Sequence, residues 1–305
     1  MSKVEIENTI SKIYATRQFD SQQDFENRLG AALQNPDFKA LYIKHRELSL
    51  KKLNNNSKDI EKEYIDASKA LLNYIEKNNI DLNVYHKCPK CNDTGITKNG
   101  MCDCKKALFV NMLRKESNLP KFATATFKDN RFKDIKAKQT TKMSSIYTDC
   151  QKWTANFDNA TKKVLFFNGN VGVGKTTLAF SIANDLLDKG YSVYYSTAFD
   201  IANMVIDKHF KRLANLDNYY NMLASDLLII DDLGTEPQNA IAIEYLFAIL
   251  DSRINDNKKT MICTNLTLEQ FSKRYGERST SRLTSKVYAY APSFIQGDDL
   301  RKIKC

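Results

Sequence analysis

Two groups of residues in this chain have types and spacings that could do chemistry. Four thiols, Cys88, Cys91, Cys102 and Cys104, stand in the pattern C-x2-C-x10-C-x-C. Further on, Gly169–Asn170–Val171–Gly172–Val173–Gly174–Lys175–Thr176 fits G-x-x-x-x-G-K-[ST] in full. A tetrahedral zinc site needs two short chelating pairs brought together by a loop. "CPKC" is one pair, "CDC" the other, and "NDTGITKNG" supplies the turn residues between them. "CDC" is tighter than the usual second pair, so His86 stands as an alternative ligand. Four protein ligands leave no coordination position open, which points to a structural zinc rather than a catalytic one. The competing reading is four reduced thiols or a redox pair. Zinc would fold a small module that lacks enough core of its own.

The second group is built for phosphate. Its glycines let backbone N–H groups curl round phosphate oxygens, and a following helix N-terminus adds partial positive charge. Lys175 can reach the β- and γ-phosphates of ATP and the Thr176 hydroxyl can ligate Mg²⁺, with Thr177 completing the set. The motif sits where it must, between the strand "VLFFN" and the helix "TLAFSIANDLL". Downstream, "LLIIDDLG" is a buried strand that delivers Asp231 and Asp232 at its C-terminal edge, where ligands bind in such sheets. Asp231 would hold Mg²⁺ and Asp232 would orient the attacking water. Asn265 ends the next strand, "TMICTN", and could reach the γ-phosphate or the water. Taken alone it reads as a turn residue.

Arg274, Arg278, Arg282 and Lys286 recur every four residues, which on one helix makes a basic stripe. It reads as a solvated face, a phosphate-backbone contact, or an arginine finger that enters a neighbouring subunit's nucleotide. The last reading implies self-assembly.

These groups need elements to hold them. Residues 1–117 read as helical and polar, with the cysteines near their end. Ile60, Tyr64, Ala67, Leu71 and Ile75 form one apolar stripe on a helix. Residues 118–142 are basic and poor in aliphatics, a linker or an extended strap. From 143 to 305 strands alternate with helices, which predicts an α/β fold with a parallel sheet flanked by helices. At 305 residues, two domains are expected. Cys150, Cys263 and Cys305 stand alone, and Cys263 reads as a core residue. No apolar run spans a bilayer and the N-terminus lacks a signal peptide's apolar core, so a cytoplasmic location with reduced thiols is expected. A net charge of +10 favours polyanionic partners such as nucleic acid, although 46 basic and 36 acidic residues are well mixed.

The Gly-rich motif, "LLIIDDLG", "CTN" and "ERSTSRL" in this order, with the lead-in "LPKFATATF", resemble the AAA+ replicative helicase loaders of the DnaC/DnaI type. The transposase-helper ATPases of the IstB type are close relatives of these. The resemblance is strong over about 118–305, and a helical N-terminal region with a cysteine cluster is similar to the DnaI branch. It implies a P-loop ATPase, slow and stimulated by single-stranded DNA, that places a hexameric replicative DNA helicase on that DNA. Residues 1–117 would grip the helicase. Asn265 matches sensor one, and Arg282 matches the arginine finger better than Arg278 does. Arg301 is similar to the sensor-two arginine, and the chain runs only four residues past it, short of a helical lid. An extra helix before the acidic strand, with Lys208, Phe210, Lys211 and Arg212, would line a channel for single-stranded DNA; basic and aromatic residues together are what such channels use. The same four residues also read as an amphipathic helix with a solvated face. Two other functions fit the residues: a transposase helper of the IstB type, and an ATP-binding DNA adaptor without significant hydrolysis.

Overall fold

The computed structural model describes residues 1–54, 57–128, 142–210, 216–287, 289–297 and 299. The chain forms two compact units. One joins Met1–Asn8 to Lys106–Cys305, and the other is Thr9–Lys105.

The larger unit is a five-stranded parallel sheet. Its strands are β3 (Val164–Asn168), β4 (Val193–Thr197), β5 (Leu227–Leu233), β6 (Lys259–Thr264) and β7 (Ala289–Tyr290), in the order β4-β5-β6-β3-β7. All of β3 and β6 is buried. That is the signature of parallel strands covered on both faces, and it explains why their sequences read as unbroken apolar runs. On one face Val164, Phe166, Leu228, Ile230 and Ile262 pack with Ile201 and Val205 of α7 (Ala198–His209) and Leu246 and Leu250 of α9 (Ala240–Asn255). Phe271 of α10 (Leu268–Tyr275) closes this core edge-on to Phe166 at 5.3 Å. The other face receives α6 (Lys175–Asp188), which packs on β4, β5 and β6. Each large apolar side chain so buried contributes roughly 1.5–3 kcal/mol. The helices α5 (Lys142–Ala155), α8 (Asp217–Ala224) and α11 (Glu277–Leu283) complete the unit.

The strand order decides what meets at the sheet's C-terminal edge. β6 lies between β3 and β5, so Asn265 emerges between the Gly-rich loop and the aspartate pair. The first part of the basic segment, up to residue 128, lies as a strap on α6. Ala123 and Ala125 are buried against Phe180, and the Asn184 side chain donates to both of their carbonyls at 2.8 and 2.9 Å. Residues 129–141 lie outside the described residues.

Arg253 is 1% exposed, yet no ion pair engages it among the described residues. Its guanidinium donates instead to the carbonyls of Met222, Leu223 and Lys259 and to the Thr260 hydroxyl, at 2.6–3.1 Å. It thus fixes the C-terminal end of α8 beside the start of β6. Removing it leaves buried acceptors without donors, at about 1–3 kcal/mol for each group left dry. Arg253→Met should therefore lower stability by about 3 kcal/mol, or roughly 6–12 °C in the melting temperature of a unit this size, measured by thermal denaturation.

The smaller unit contains α2 (Pro36–Asn54) packed on α3 (Lys58–Lys77), residues 9–32 of α1 (Lys3–Ala32), and the hairpin β1 (Ile96–Thr97)–β2 (Gly100–Met101). Ser57 caps α3 by accepting from the Ile60 N–H. Every member of the expected stripe on α3 is at least half-buried, with Ala67 and Leu71 fully so. The helix α4 (Asp103–Glu116) begins at the last cysteine pair. Among the described residues no helix is long and apolar enough to cross a membrane.

Candidate functional site

The Gly-rich loop leaves β3 and enters α6. Gly172 (φ +80°) and Gly174 (φ +98°) occupy left-handed backbone that favours glycine, and Gly174 is the N-cap of α6. Lys175 is 6% exposed. Its ammonium donates to the carbonyls of Gly169 (2.8 Å) and Asn170 (2.7 Å) and to Asn265 Oδ1 (2.8 Å). The motif lysine and the Asn at the tip of β6 are therefore in direct contact, across ninety positions of sequence.

Asp231 is buried (2% exposed) and accepts from the Tyr195 hydroxyl on the neighbouring strand at 2.9 Å. Burial, with Asp231 beside it, pushes the Tyr195 phenol well above its ordinary range, so it stays a donor. The pairing of β5 with β6 slips between Ile230 and Leu233. That irregularity turns Asp232 outward, exposed and with φ +52°. Bulges of this kind re-aim a side chain beside many active sites. Thr176 and Thr177, at the mouth of the loop, are half-buried.

Neither Tyr195 nor the segment that covers the loop was legible in the motif. Ile295 pairs with the loop, donating to Asn168 O (2.8 Å) and accepting from Asn170 N (2.9 Å). A methyl group on Gly172 would stand 2.0 Å from Asp299 Oδ1, and one on Gly169 would stand 2.5 Å from Ile295 O. The two glycines therefore admit Ile295 and Asp299 against the loop as well as giving it its curvature.

The basic stripe does not lie on one helix. Gly276 (φ +88°, ψ 156°) ends α10 and starts α11, so Arg274 parts from Arg278 and Arg282. Lys286 lies beyond α11. Arg274 is committed inside the unit: it pairs with the buried Glu236, which also accepts from the Tyr275 hydroxyl and, at 2.8 Å, from Gly234 N. Arg282 pairs with Asp251, both partly exposed. Arg278 is exposed and has no ion pair among the described residues. Arg301 lies outside the described residues.

At the end of α7, the Lys208 ammonium stacks on the Tyr219 ring at 3.4 Å, and Phe210 is 51% exposed. Lys211 and Arg212 lie outside the described residues.

In the smaller unit the four cysteine sulfurs all lie within 4.8 Å of one another. Cys88 Sγ and Cys102 Sγ are 3.9 Å apart, and Cys91 Sγ and Cys104 Sγ 3.6 Å. Four thiolates at about 2.3 Å from a tetrahedral zinc stand about 3.8 Å from each other, so the set fits that ion. The N–H of Cys91 bonds to Cys88 and lowers its thiol to about 7, whereas burial pushes the Cys104 thiol up to about 12. His86 is not in the cluster. Its Nδ1 lies 3.8 Å from Asp93, a fully buried carboxylate that accepts from the N–H groups of Lys87 (2.7 Å) and Cys88 (3.0 Å). The knuckle is thus held by Asp93, and a metal here would find four sulfur ligands without His86.

The family model described as IstB-like ATP binding protein matches residues 105–287, more than half of the chain. The replicative helicase loader DnaC of Escherichia coli (strain K12) is 32% identical over 118 residues, 38% of this chain and 48% of DnaC. The replicative helicase loader DnaI of Bacillus subtilis (strain 168) is 25% identical over 308 residues, 92% of this chain and 94% of DnaI. The chain thus spans about half the length of the DnaC relatives and nearly all of DnaI. A solved structure of the DnaC helicase loader, 25% identical, covers 50% of this chain with a TM-score of 0.44.

Proposed function

We propose, starting from the fact that this chain belongs to the IstB-like ATP binding protein family, that it is an ATP-dependent loader. It would bind a hexameric replicative DNA helicase and deliver it onto single-stranded DNA. The observation that carries this reading is the correspondence with DnaI along both parts of the chain. The transposase-helper reading rests on the family description over residues 105–287, which leaves the cysteine module without a role.

In this reading residues 1–117 dock the helicase, 118–142 link, and 143–305 form the AAA+ ATPase. Residues 169–177 cradle the phosphates of ATP, with Lys175 turning from its loop carbonyls to the β- and γ-phosphates. Thr176 and Asp231 hold Mg²⁺, which neutralises charge on the phosphates when bound. Tyr195 keeps the Asp231 carboxylate oriented. Asp232, at the outward turn of β5, orients the attacking water, and Asn265 follows Lys175 toward the γ-phosphate. Arg282 leaves Asp251 to reach a second subunit's nucleotide, which costs little because exposed pairs are worth about 0–1 kcal/mol. Arg301 serves the same nucleotide from its own subunit. Lys208, Phe210, Lys211 and Arg212 contact single-stranded DNA, and Cys88, Cys91, Cys102 and Cys104 hold the structural zinc.

The test is light scattering after size-exclusion chromatography of the full chain mixed with its host's replicative helicase, with and without ATP. A stable complex is expected. Its absence in every nucleotide state would refute the loader reading and turn attention to transposon-end DNA. Asp232→Asn and Arg282→Ala should each keep ATP binding and lose hydrolysis, by about 10³-fold for the arginine. Only the arginine variant should be rescued by mixing with Lys175→Ala chains, because its own site remains intact. Loss of ATP binding in either variant would contradict the assigned role.

A further inference from the structure

Helix α1 brings a buried tyrosine to the cysteine cluster. Tyr14 is 4% exposed, and its hydroxyl lies 3.0 Å from Cys104 Sγ, ninety positions away in sequence. Its ring rests on the loop between the two cysteine pairs: a methyl on Gly95 (φ +72°) would stand 3.3 Å from Tyr14 Cε1. The Arg17 guanidinium sits over the Tyr14 ring, 5.0 Å from its centroid.

We propose that Tyr14 is a positioning residue of the metal site, donating a hydrogen bond to the Cys104 thiolate and so fastening residues 9–32 of α1 to the metal. The proposal rests on the zinc reading of the four cysteines. A metal-bound thiolate carries no proton, so the phenol must be the donor. The bond holds the Cys104 sulfur in one orientation and draws charge from it, while the cation over the ring makes the phenol a stronger donor. Cys104 also lies in the first turn of α4, so residues 9–32 of α1 and the start of α4 are tied to one ion. Outer groups of this kind typically change metal affinity about 10–100-fold when removed.

The test uses the full chain loaded with zinc, and in parallel with cobalt(II). Wild type, Tyr14→Phe and Tyr14→Leu are compared for zinc release to a chelator and for the thiolate-to-cobalt charge-transfer band. Tyr14→Phe keeps the ring and loses only the hydroxyl. It should still hold one metal ion, release it about 10–100-fold more readily, and move the cobalt band to longer wavelength, since the sulfur lone pair is no longer stabilised. If Tyr14→Phe matches wild type in both readouts and only Tyr14→Leu is defective, the tyrosine merely packs and the proposal is overturned. If wild type binds neither zinc nor tetrahedral cobalt, the zinc reading fails beneath it. Should Tyr14→Phe not fold, Arg17→Gln gives the same readout, with a smaller band shift in the same direction expected and an unchanged spectrum counting against the proposal.

Discussion

Lys175→Ala is expected to abolish the response of the full chain to ATP while leaving the Thr9–Lys105 unit folded. Among its partners in this structure the ammonium donates to the oxygens of Gly169, Asn170 and Asn265. Each is a neutral acceptor, so a phosphate oxygen is the better partner for the same cation. A hydrogen bond to a charged group is worth about 1.5–3 kcal/mol, and the lysine can make two to the β- and γ-phosphates. Their loss amounts to about 10²- to 10⁴-fold in dissociation constant. Titration with a fluorescent ATP analogue measures this directly. Thermal denaturation provides a second measurement: ATP at a hundred times its dissociation constant stabilises wild type by about 2.7 kcal/mol and should leave the variant unmoved. A variant that binds within a few-fold of wild type would show that the loop does not hold the phosphates.

What could be read from the sequence was mostly what is local. The loop motif, the strand before it and the helix after it are contiguous, and each glycine carries its own conformational signal. The apolar runs of β3, β5 and β6 are equally local, because strands buried on both faces need no alternation. The strand order could not be read, and it is the order that sets Asn265 beside Lys175. The partners that complete the site are long-range: Tyr195 on Asp231, Glu236 on Arg274, and Ile295 against Gly169. No spacing rule reaches across 36 to over a hundred positions. The basic stripe failed for a different reason. A four-residue period was extended through Gly276, although a glycine after Arg274 and Tyr275, followed by Glu277, carries the marks of one helix ending and another beginning. The cysteine spacing was enough to find the cluster because its two pairs and their turn are close in sequence. That Asp93, not a ligand exchange with His86, secures the first pair could not be read, because a buried carboxylate looks in sequence like any turn aspartate.

Removing the metal, by chelation or by Cys88→Ser, is expected to unfold the 86–104 module and abolish any complex with the helicase, while ATP binding persists. The module has little else to hold it. Its strands are two residues each, and Ile96 and Met101 on them are exposed. What is buried there is Cys91, Asp93, Gly95 and Cys102. Without a metal, four sulfurs at 3.6–4.8 Å gain only weak S–H···S contacts, and any that ionise repel one another. Structural zinc contributes about 10–16 kcal/mol of apparent binding free energy, as much as or more than the 5–15 kcal/mol that holds a whole domain together. The α2–α3 pair has its own packed face, around Phe38, Ala67 and Leu71, and should keep its helical signal. Hydrogen exchange should therefore show protection lost over 86–104 and retained over α2, α3 and the sheet, with one zinc per chain measured before chelation and none after. Because Lys175, Asp231 and Asn265 belong to the other unit, ATP affinity serves as the internal control. A chelated protein that keeps both its protection and its helicase complex would mean that the cysteines do not hold the module. A protein that loses the complex together with ATP binding would mean that the damage is global rather than confined to the metal site.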